Sequence, residues 1–263
     1  MKWYHNDETR PEDGKRQRCG MIENKVIAIT GASSGIGEAT ARYLATRGAK
    51  LMLGARSEAA LRKVCADIVA DGASADYVTI DVAHREDVAK LVARAQQQFG
   101  RLDVLISNAG VMPIGPLAEL ALDDWERMID VNVKGVLWGI AAALPIFQEQ
   151  KSGHFITIAS TAARKIVPNM AVYSGTKAAV AAIMDGLRQE VAGLLRVTTV
   201  YPGYTDTNFA SHVRDSELRA QLKKAGDSYA MSPKSVAAAI AHAIDQPEDV
   251  TIGEIVIRSR NQP

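Results

Sequence analysis

The sequence predicts an α/β fold in which a doubly wound parallel sheet of seven strands carries helices on both faces. Short apolar stretches alternate with longer segments of helical periodicity along the chain, which is the pattern of a parallel sheet with crossover helices. The apolar stretches contain almost no charged residues, as strands covered on both faces require. Glycine follows helical segments at Gly48, Gly72 and Gly100, where left-handed C-caps are expected. Right-handed crossovers between such strands give the doubly wound topology.

The predicted strands define one series without a linker-like interruption. In chain order they are Val26–Thr30, Lys50–Leu53, Asp76–Val82, Leu102–Asn108, His154–Ser160, Arg196–Tyr201 and Ile252–Ile257. We therefore expect a single domain over residues 21–263. A polar segment at about 204–232 is interpreted as a lid inserted outside the sheet, and an amphipathic helix over about 234–244 follows it. Residues 1–20 are polar and mixed in charge and are predicted to be a disordered leader.

Composition and charge narrow the class of protein. The chain has 263 residues, a formal net charge of +1, and 47% hydrophobic and 23% charged residues, which gives no reason to expect a nucleic-acid or membrane partner. It contains neither a run of about 18 apolar residues nor an apolar signal-peptide segment, so we expect no membrane span and a cytoplasmic location. Cys65 lies on an apolar helical stripe and is predicted to pack in the core. The five histidines show no metal-ligand spacing, so no metal site is expected.

A glycine-rich loop, TGASSGIG, joins the first predicted strand to the first helix. In a doubly wound sheet this position borders the ligand crevice, and a helix N-terminus there suits a pyrophosphate. Gly31 would allow the sharp turn, Gly35 would let the backbone approach the phosphates, and Gly37 would let the helix pack closely on the strand. The spacing Gly-x3-Gly-x-Gly differs from the commoner Gly-x-Gly-x-x-Gly. A glycine-rich turn without a ligand stays open as the alternative.

The end of the second strand indicates which dinucleotide would bind. A carboxylate at this position would hold the ribose hydroxyls of NAD, but the sequence has Gly54, Ala55 and then Arg56. A guanidinium can pair with a 2′-phosphate and stack on adenine. We therefore expect NADP as the cofactor. The alternative is that Arg56 is only a surface loop residue.

Four polar residues form the pattern that predicts chemistry. Tyr173 and Lys177 are four positions apart on an alanine-rich helical segment, so they share one face. Ser160 ends a buried strand, and Asn132 lies in the long helical segment that follows the strand ending at Asn108. Each of them has an ordinary structural explanation on its own, because buried polar groups usually bond to nearby backbone. Their convergence with the glycine loop favours a catalytic site.

With these residues the chain resembles a short-chain dehydrogenase/reductase of the compact, single-domain branch, whose fold is a Rossmann-type sheet. The matching motifs are Thr30-Gly31-x3-Gly35-Ile36-Gly37, Asn108-Ala109-Gly110, Asn132, Ser160, Tyr173-x3-Lys177 and Pro202-Gly203. The resemblance runs from about Ile22 to Ile257. It implies an oxidoreductase that transfers hydride between NADP(H) and a carbonyl compound or secondary alcohol.

The resemblance also implies a role for each matching residue. Tyr173 would protonate the carbonyl oxygen, Ser160 would hydrogen-bond the same oxygen, Lys177 would bind the ribose, and Asn132 would hold a water that links Lys177 to solvent. The implied catalytic set is Asn132, Ser160, Tyr173 and Lys177. The predicted cofactor-binding set is Gly31, Ser33, Ser34, Gly35, Ile36, Gly37, Arg56, Asp81, Val82, Asn108, Ala109, Gly110, Tyr173, Lys177, Pro202, Gly203, Thr205 and Thr207.

Electrostatics gives an independent reason for the Tyr173–Lys177 pair. Free tyrosine has a pKa of about 10 and exchanges protons poorly near neutral pH. An ammonium about 4 Å away, at an effective dielectric of about 20, contributes about 4 kcal/mol, which corresponds to roughly 3 pKa units. Burial opposes this effect. We therefore expect Lys177 to lower the pKa of Tyr173.

The substrate is less well specified by the sequence. The segments around the nicotinamide end are mostly apolar, which favours a small or medium ketone, aldehyde or secondary alcohol. Arg164 and Lys165 would meet an acidic group of the substrate, or would be solvated loop residues. Reduction of carrier-bound 3-ketoacyl groups and a non-catalytic NADP-binding redox sensor stay open as alternative functions. A nucleotide-sugar epimerase would need a larger C-terminal substrate domain, for which the chain has no room.

The alanine-rich segment also bears on assembly. Ala178, Ala179, Ala181 and Ala182 are small enough for close contact between helices, and the resemblance implies a homotetramer or homodimer built on this helix. The alternative is that these alanines pack on the protein's own sheet.

Overall fold

The computed structural model describes residues 21–207, 213 and 215–262. Its strands are β1 Val26–Thr30, β2 Lys50–Ala55, β3 Ser74–Thr79, β4 Val104–Ser107, β5 His154–Ile158, β6 Arg196–Pro202 and β7 Glu254–Ile257. Its α-helices are α1 Gly35–Ala45, α2 Glu58–Ala70, α3 Arg85–Phe99, α4 Leu122–Met128, α5 Gly135–Gln150, α6 Ala171–Glu190, α7 Ser216–Tyr229 and α8 Pro233–Ile244. The predicted leader over residues 1–20 lies outside the described residues.

The strands form one sheet in the order β3-β2-β1-β4-β5-β6-β7, and every neighbouring pair is parallel. The predicted fold class, a doubly wound seven-stranded parallel sheet, is confirmed. The chain winds from β1 toward β3 and then crosses back to β4 on the other side of β1. This reversal leaves a crevice at the carboxyl ends of β1 and β4, which is where such sheets bind ligands.

The two edge strands differ from the prediction of uncharged, doubly covered strands. Each edge strand has one neighbour only, and both β3 and β7 are partly exposed. For this reason β3 tolerates Asp76. It ends at Thr79, opposite Ala55 at the end of β2, whereas the sequence predicted a strand over 76–82. Asp81 and Val82 consequently lie in the loop beyond the strand.

The core consists of two hydrophobic clusters, one on each face of the sheet. In the first cluster, the rings of Phe147 and Phe155 meet edge to face with their centroids 4.9 Å apart. Cys65 belongs to the second cluster and is 7% exposed, which confirms its predicted place in the core. The two clusters fix the sheet between its helical layers, so the crevice has a rigid floor.

The long helix that carries Asn132 is not a continuous α-helix. A π-helical segment, Ile129–Lys134, separates α4 from α5. π-Helical turns are rare and often lie at functional sites. Helical periodicity alone could not reveal this change of register, because the apolar pattern continues through it.

One stretch, Leu122–Gln150, runs against the expectation that the chain has no segment able to span a membrane. By length and composition alone it could cross a membrane, with a mean hydropathy of 1.4 over 18 residues that are 33% buried. The buried face, which includes Val136, Ala143 and Phe147, packs against the sheet as in many soluble proteins. Leu137, at 38% exposure, lies on the face left open.

The predicted lid contains one helix, α7, in its described part. Residues 208–212 and 214 of this segment lie outside the described residues. A short bridge between Thr205 and Met231 brings the two ends of the segment together, so α7 forms an excursion from the sheet. The helix predicted over about 234–244 is α8, which begins at Pro233 with the Ser232 side chain as its N-cap.

Candidate functional site

The glycine loop adopts the close-packed geometry that its composition predicts. Gly31 and Gly35 have φ angles of +66° and +55°, which L side chains rarely adopt. A Cβ on Gly37 would lie 2.2 Å from the Gly31 carbonyl oxygen, so only glycine lets α1 approach the loop this closely. The loop therefore needs each of these three glycines for its own shape, and it presents backbone at the mouth of the crevice.

Thr30 links the loop to the end of β4. Its Oγ1 accepts hydrogen bonds from the backbone N–H groups of Asn108 and Ala109, at 3.0 and 3.1 Å. The Asn108 side chain returns the contact by donating Nδ2–H to the carbonyls of Thr30 and Gly31, at 2.9 and 3.2 Å. The glycine loop and the Asn108–Gly110 segment therefore form one unit. Sequence reasoning missed this function of Thr30, because its partners are 78 and 79 positions away.

One side of the crevice is formed by the residues that follow β2 and β3. Arg56 is exposed and directly follows the last residue of β2. The loop and this strand end are joined by a hydrogen bond from Ala32 N–H to the Gly54 carbonyl, at 3.1 Å. Asp81 is partly turned to its own loop, because its Oδ1 accepts from Ala83 N–H at 3.0 Å, and Val82 is buried.

Ser160 and Tyr173 come together at the carboxyl end of β5. The strand ends at Ile158, two residues earlier than predicted, and Ser160 caps the 3₁₀ turn Thr161–Ala163 by accepting from Ala162 N–H at 3.1 Å. Tyr173 is 7% exposed. Burial raises its pKa to about 12, while a hydrogen bond with the Ser160 side chain acts in the opposite direction.

Lys177 is held behind Tyr173 on the same face of α6. Its Nζ donates to the Ile158 carbonyl at 2.7 Å and lies 6.0 Å from the centroid of the Tyr173 ring. Burial lowers the pKa of Lys177 to about 8. The expectation that Lys177 lowers the pKa of Tyr173 is wrong for this structure. The reason is that the ammonium is bound to a backbone carbonyl, and desolvation dominates at the phenol.

Asn132 connects the two halves of the site. Its Oδ1 accepts from Val111 N–H at 2.8 Å, and its Nδ2 donates to the Val111 carbonyl at 2.9 Å and to Thr176 Oγ1 at 3.1 Å. A Cβ on Gly110 would lie 3.3 Å from Asn132 Oδ1 and 3.5 Å from Lys177 Nζ. The space above Gly110 is therefore bordered by both polar groups. Both protons of the amide are used within the protein, which leaves one lone pair of Oδ1 for a water.

The loop after β6 closes the crevice from the other side. Pro202 is the last residue of β6, and a Cβ on Gly35 would lie 3.1 Å from Thr207 Cγ2, so this loop reaches the glycine loop. The Thr205 hydroxyl donates to the Gly203 carbonyl at 3.0 Å. The predicted residues Gly203, Thr205 and Thr207 thus lie around the same crevice as the glycines.

Arg164 has a partner within the chain. Its guanidinium lies 4.1 Å above the centroid of the Tyr201 ring and pairs with Glu254. The other oxygen of Glu254 accepts from the Tyr201 hydroxyl at 2.7 Å. The suggestion that Arg164 receives an acidic group of the substrate is therefore not supported, and Arg164 instead ties the turn after Ser160 to β6 and β7. Lys165 is exposed.

A cavity of about 450 Å³ opens beside the segment that follows β4. Ile114 and Trp125 line one side of it, and Asp215, the N-cap of α7, lines another. The cavity wall thus includes the start of α7. Within the part of the chain that the structure describes, no group of three His, Cys, Asp or Glu side chains is arranged to hold a metal ion.

Comparison with known proteins agrees with this geometry. Residues 25–218 match the family described as short chain dehydrogenase. An uncharacterized oxidoreductase of Listeria monocytogenes is 46% identical over 245 residues, covering 92% of this chain and 99% of that protein.

Two solved structures show which kind of ligand similar proteins bind. An alcohol dehydrogenase of Thermococcus sibiricus in complex with 5-hydroxy-NADP has a TM-score of 0.82 and 31% identity, covering 92% of this chain and 99% of that chain. A short chain dehydrogenase/reductase of Burkholderia phymatum in complex with NAD has a TM-score of 0.82 and 30% identity, covering 90% and 89%. The chain described here belongs to the short-chain dehydrogenase/reductase family and is an oxidoreductase with a Rossmann-type nucleotide-binding fold.

Proposed function

We propose that this oxidoreductase uses NADP(H) and interconverts a small or medium carbonyl compound and its secondary alcohol, with Tyr173 as the acid–base group. The observation that carries the proposal is the buried Tyr173 phenol, which is hydrogen-bonded to Ser160 and lies next to Lys177. These residues lie at the carboxyl ends of the strands, where the glycine loop also lies. When bound, the nicotinamide supplies or accepts the hydride. The residues of the chain orient the carbonyl and handle its proton.

The residues fit such a cofactor by their shape. The glycines of the loop bring backbone, not side chains, to the crevice, and Gly110 leaves a space between Asn132 Oδ1 and Lys177 Nζ that a Cβ would fill. Lys177 and Asn108 would hold the ribose on the nicotinamide side. Backbone N–H groups at the start of α1 would face the pyrophosphate, because the N-terminus of a helix favours an anion.

Tyr173 is suited to act as the acid in the reduction direction. With a pKa of about 12, the phenol is protonated at neutral pH and can donate to a carbonyl oxygen as that oxygen gains charge. The Ser160 hydroxyl supplies a second donor at the same place. Lys177, with a pKa of about 8, exchanges protons more readily, so it would replace the proton through a water held above Gly110 by Asn132 Oδ1.

The choice of NADP rests on Arg56. It is exposed at the end of β2, where it can reach a 2′-phosphate. The two similar structures hold 5-hydroxy-NADP and NAD respectively, so they support a nicotinamide cofactor and do not decide between its two forms. Arg56→Ala should weaken NADPH binding about tenfold, a loss of about 1.4 kcal/mol, and leave NADH binding unchanged. Equal weakening of both, measured by fluorescence titration, would contradict the assignment.

We also infer that the protein forms a homodimer or homotetramer. The alternative is that the alanines of α6 pack on the protein's own sheet. This does not account for Ala178 and Ala182, which are exposed. Leu137 and Ala141 on α5 are exposed as well. Sedimentation should show a dimer or larger species for the parent and a monomer for Leu137→Glu. A monomeric parent at micromolar concentration would remove the idea.

The activity is tested by following absorbance at 340 nm. NADPH and NADH are each offered with ketones, aldehydes and 3-ketoacyl thioesters, and Tyr173→Phe serves as the control because it removes only the hydroxyl. NADPH consumption that the control abolishes would support the reductase, and a preference for thioesters would favour the 3-ketoacyl alternative. NADPH binding without turnover of any carbonyl would favour the redox sensor.

A further inference from the structure

The lid helix, α7, buries little of its own apolar surface. Among the described residues of α7, none is fully buried. Leu218 and Leu222 are partly buried against the core cluster that also contains Tyr173. Helices gain most of their stability from burying an apolar face. We therefore expect the position of α7 to depend on contacts made by residues outside the helix.

Tyr204, outside the helix, supplies such a contact. Its hydroxyl donates to the Leu222 carbonyl at 2.5 Å, and its ring meets the Tyr229 ring edge to face with centroids 5.6 Å apart. A Cβ on Gly226 would lie 3.0 Å from Tyr204 Cε1 and 3.4 Å from its hydroxyl oxygen. The ring therefore occupies a groove on α7 that exists because residue 226 has no side chain. This explains a glycine inside a helix, which otherwise costs about 1 kcal/mol relative to alanine.

The backbone of Tyr204 is fixed as firmly as its ring. Its N–H donates to Gln262 Oε1 at 2.9 Å, and its carbonyl accepts from Met231 N–H at 3.0 Å. Tyr204 directly follows Gly203, so one residue joins the loop at the nicotinamide end of the crevice to the lid helix. Asp215, at the start of the same helix, lines the cavity beside β4.

We propose that Tyr204 is the positioning residue of α7, that its seat beside Gly226 sets where the start of this helix stands at the wall of the cavity beside β4, and that this cavity receives the substrate. The expected effect on catalysis rests on the proposed function. The contact between Tyr204 and α7 is independent of that function. Tyr204 touches α7 and not the reacting atoms in this arrangement, so its loss acts on substrate retention. Proton transfer by Tyr173 is left intact.

The test combines hydrogen–deuterium exchange of the α7 amides with steady-state kinetics on the full chain. Tyr204→Ala should speed α7 exchange about tenfold, because the helix loses its anchor. It should raise the KM for the carbonyl substrate about fivefold and change kcat less than about twofold. Tyr204→Phe keeps the ring in the groove, so its α7 exchange rate and KM should be close to those of the parent. Ser228→Ala, on the exposed side of the same helix, is the matched control and should change neither.

Gly226→Ala makes the reciprocal test. In the parent, the added methyl group must displace the Tyr204 ring, so α7 exchange and the KM should rise about threefold. In the Tyr204→Ala background the same substitution meets no ring and should change neither, or slow the exchange slightly. Equal effects of Gly226→Ala in the two backgrounds would overturn the proposal, as would parental α7 exchange in Tyr204→Ala. The exchange measurement needs no turnover, so it stands apart from a failure of the proposed activity.

Discussion

Thr30→Val tests whether a single hydroxyl joins the glycine loop to the end of β4. Valine has nearly the shape of threonine, and Thr30 is 3% exposed, so the substitution leaves the packing almost unchanged. It removes the acceptor of the Asn108 and Ala109 N–H groups, which lie 3.0 and 3.1 Å from Thr30 Oγ1. The expected effect is therefore that of two backbone donors left without a partner.

The magnitude follows from these two contacts. Each buried donor that loses its acceptor costs about 1–3 kcal/mol, and the extra methyl group returns about 0.8 kcal/mol. Because the two N–H groups are partly accessible to water, the lower half of the range applies to each, and after the methyl contribution we expect a loss of about 2 kcal/mol in the free energy of unfolding. For a chain of this size, that lowers Tm by about 4–8 °C.

Thr30→Ser is the matched control. It keeps the oxygen and loses only a methyl group, for which we expect a loss of about 1 kcal/mol. Both variants are measured by urea unfolding followed by circular dichroism, with NADPH affinity as a second readout. A Thr30→Val variant that is as stable as Thr30→Ser would refute the reasoning, because the hydroxyl would then contribute nothing to joining the two segments.

Two further predictions concern single side chains away from the cofactor crevice. His154 is buried, and its pKa lies well below the ordinary value because of burial and then the positive charges of nearby basic residues. Its contribution to stability is therefore complete above about pH 6.5 and is lost as pH falls toward the folded-state pKa, at up to about 1.4 kcal/mol per pH unit. His154→Gln should flatten the decline of unfolding free energy between pH 7 and 5, and a decline as steep as in the exposed control His84→Gln would contradict this. Arg164→Ala should lower the unfolding free energy by about 1 kcal/mol, and more than Arg62→Ala, whose ion pair is more exposed. Equal losses in urea unfolding would mean that the ring under Arg164 adds nothing.

The fold class and the place of the site could be predicted from local patterns. Periodicity of two or of 3.6 residues separates strands from helices, and the order of elements then allows few topologies. The conformation and close packing of the loop glycines could also be predicted, because positive φ and close backbone approach are properties of the residue type. The predicted strand ends were less accurate, as for the strands that end at Ile158 and Thr79, because the end of a strand depends on where its neighbour in the sheet stops pairing with it.

The chemistry of the site depended on contacts between residues far apart in the sequence. The pKa of Tyr173 was expected to fall and instead rises, because burial is a property of the whole fold. Arg164 finds Glu254, 90 positions away, which no local pattern indicates.

Sequence patterns thus settle which segments are strands and helices, and which residues are brought to one edge of the sheet. Tertiary structure decides what those residues do there. Helical and strand periods are local, whereas partners, desolvation and the groove beside Gly226 arise only when distant segments pack together.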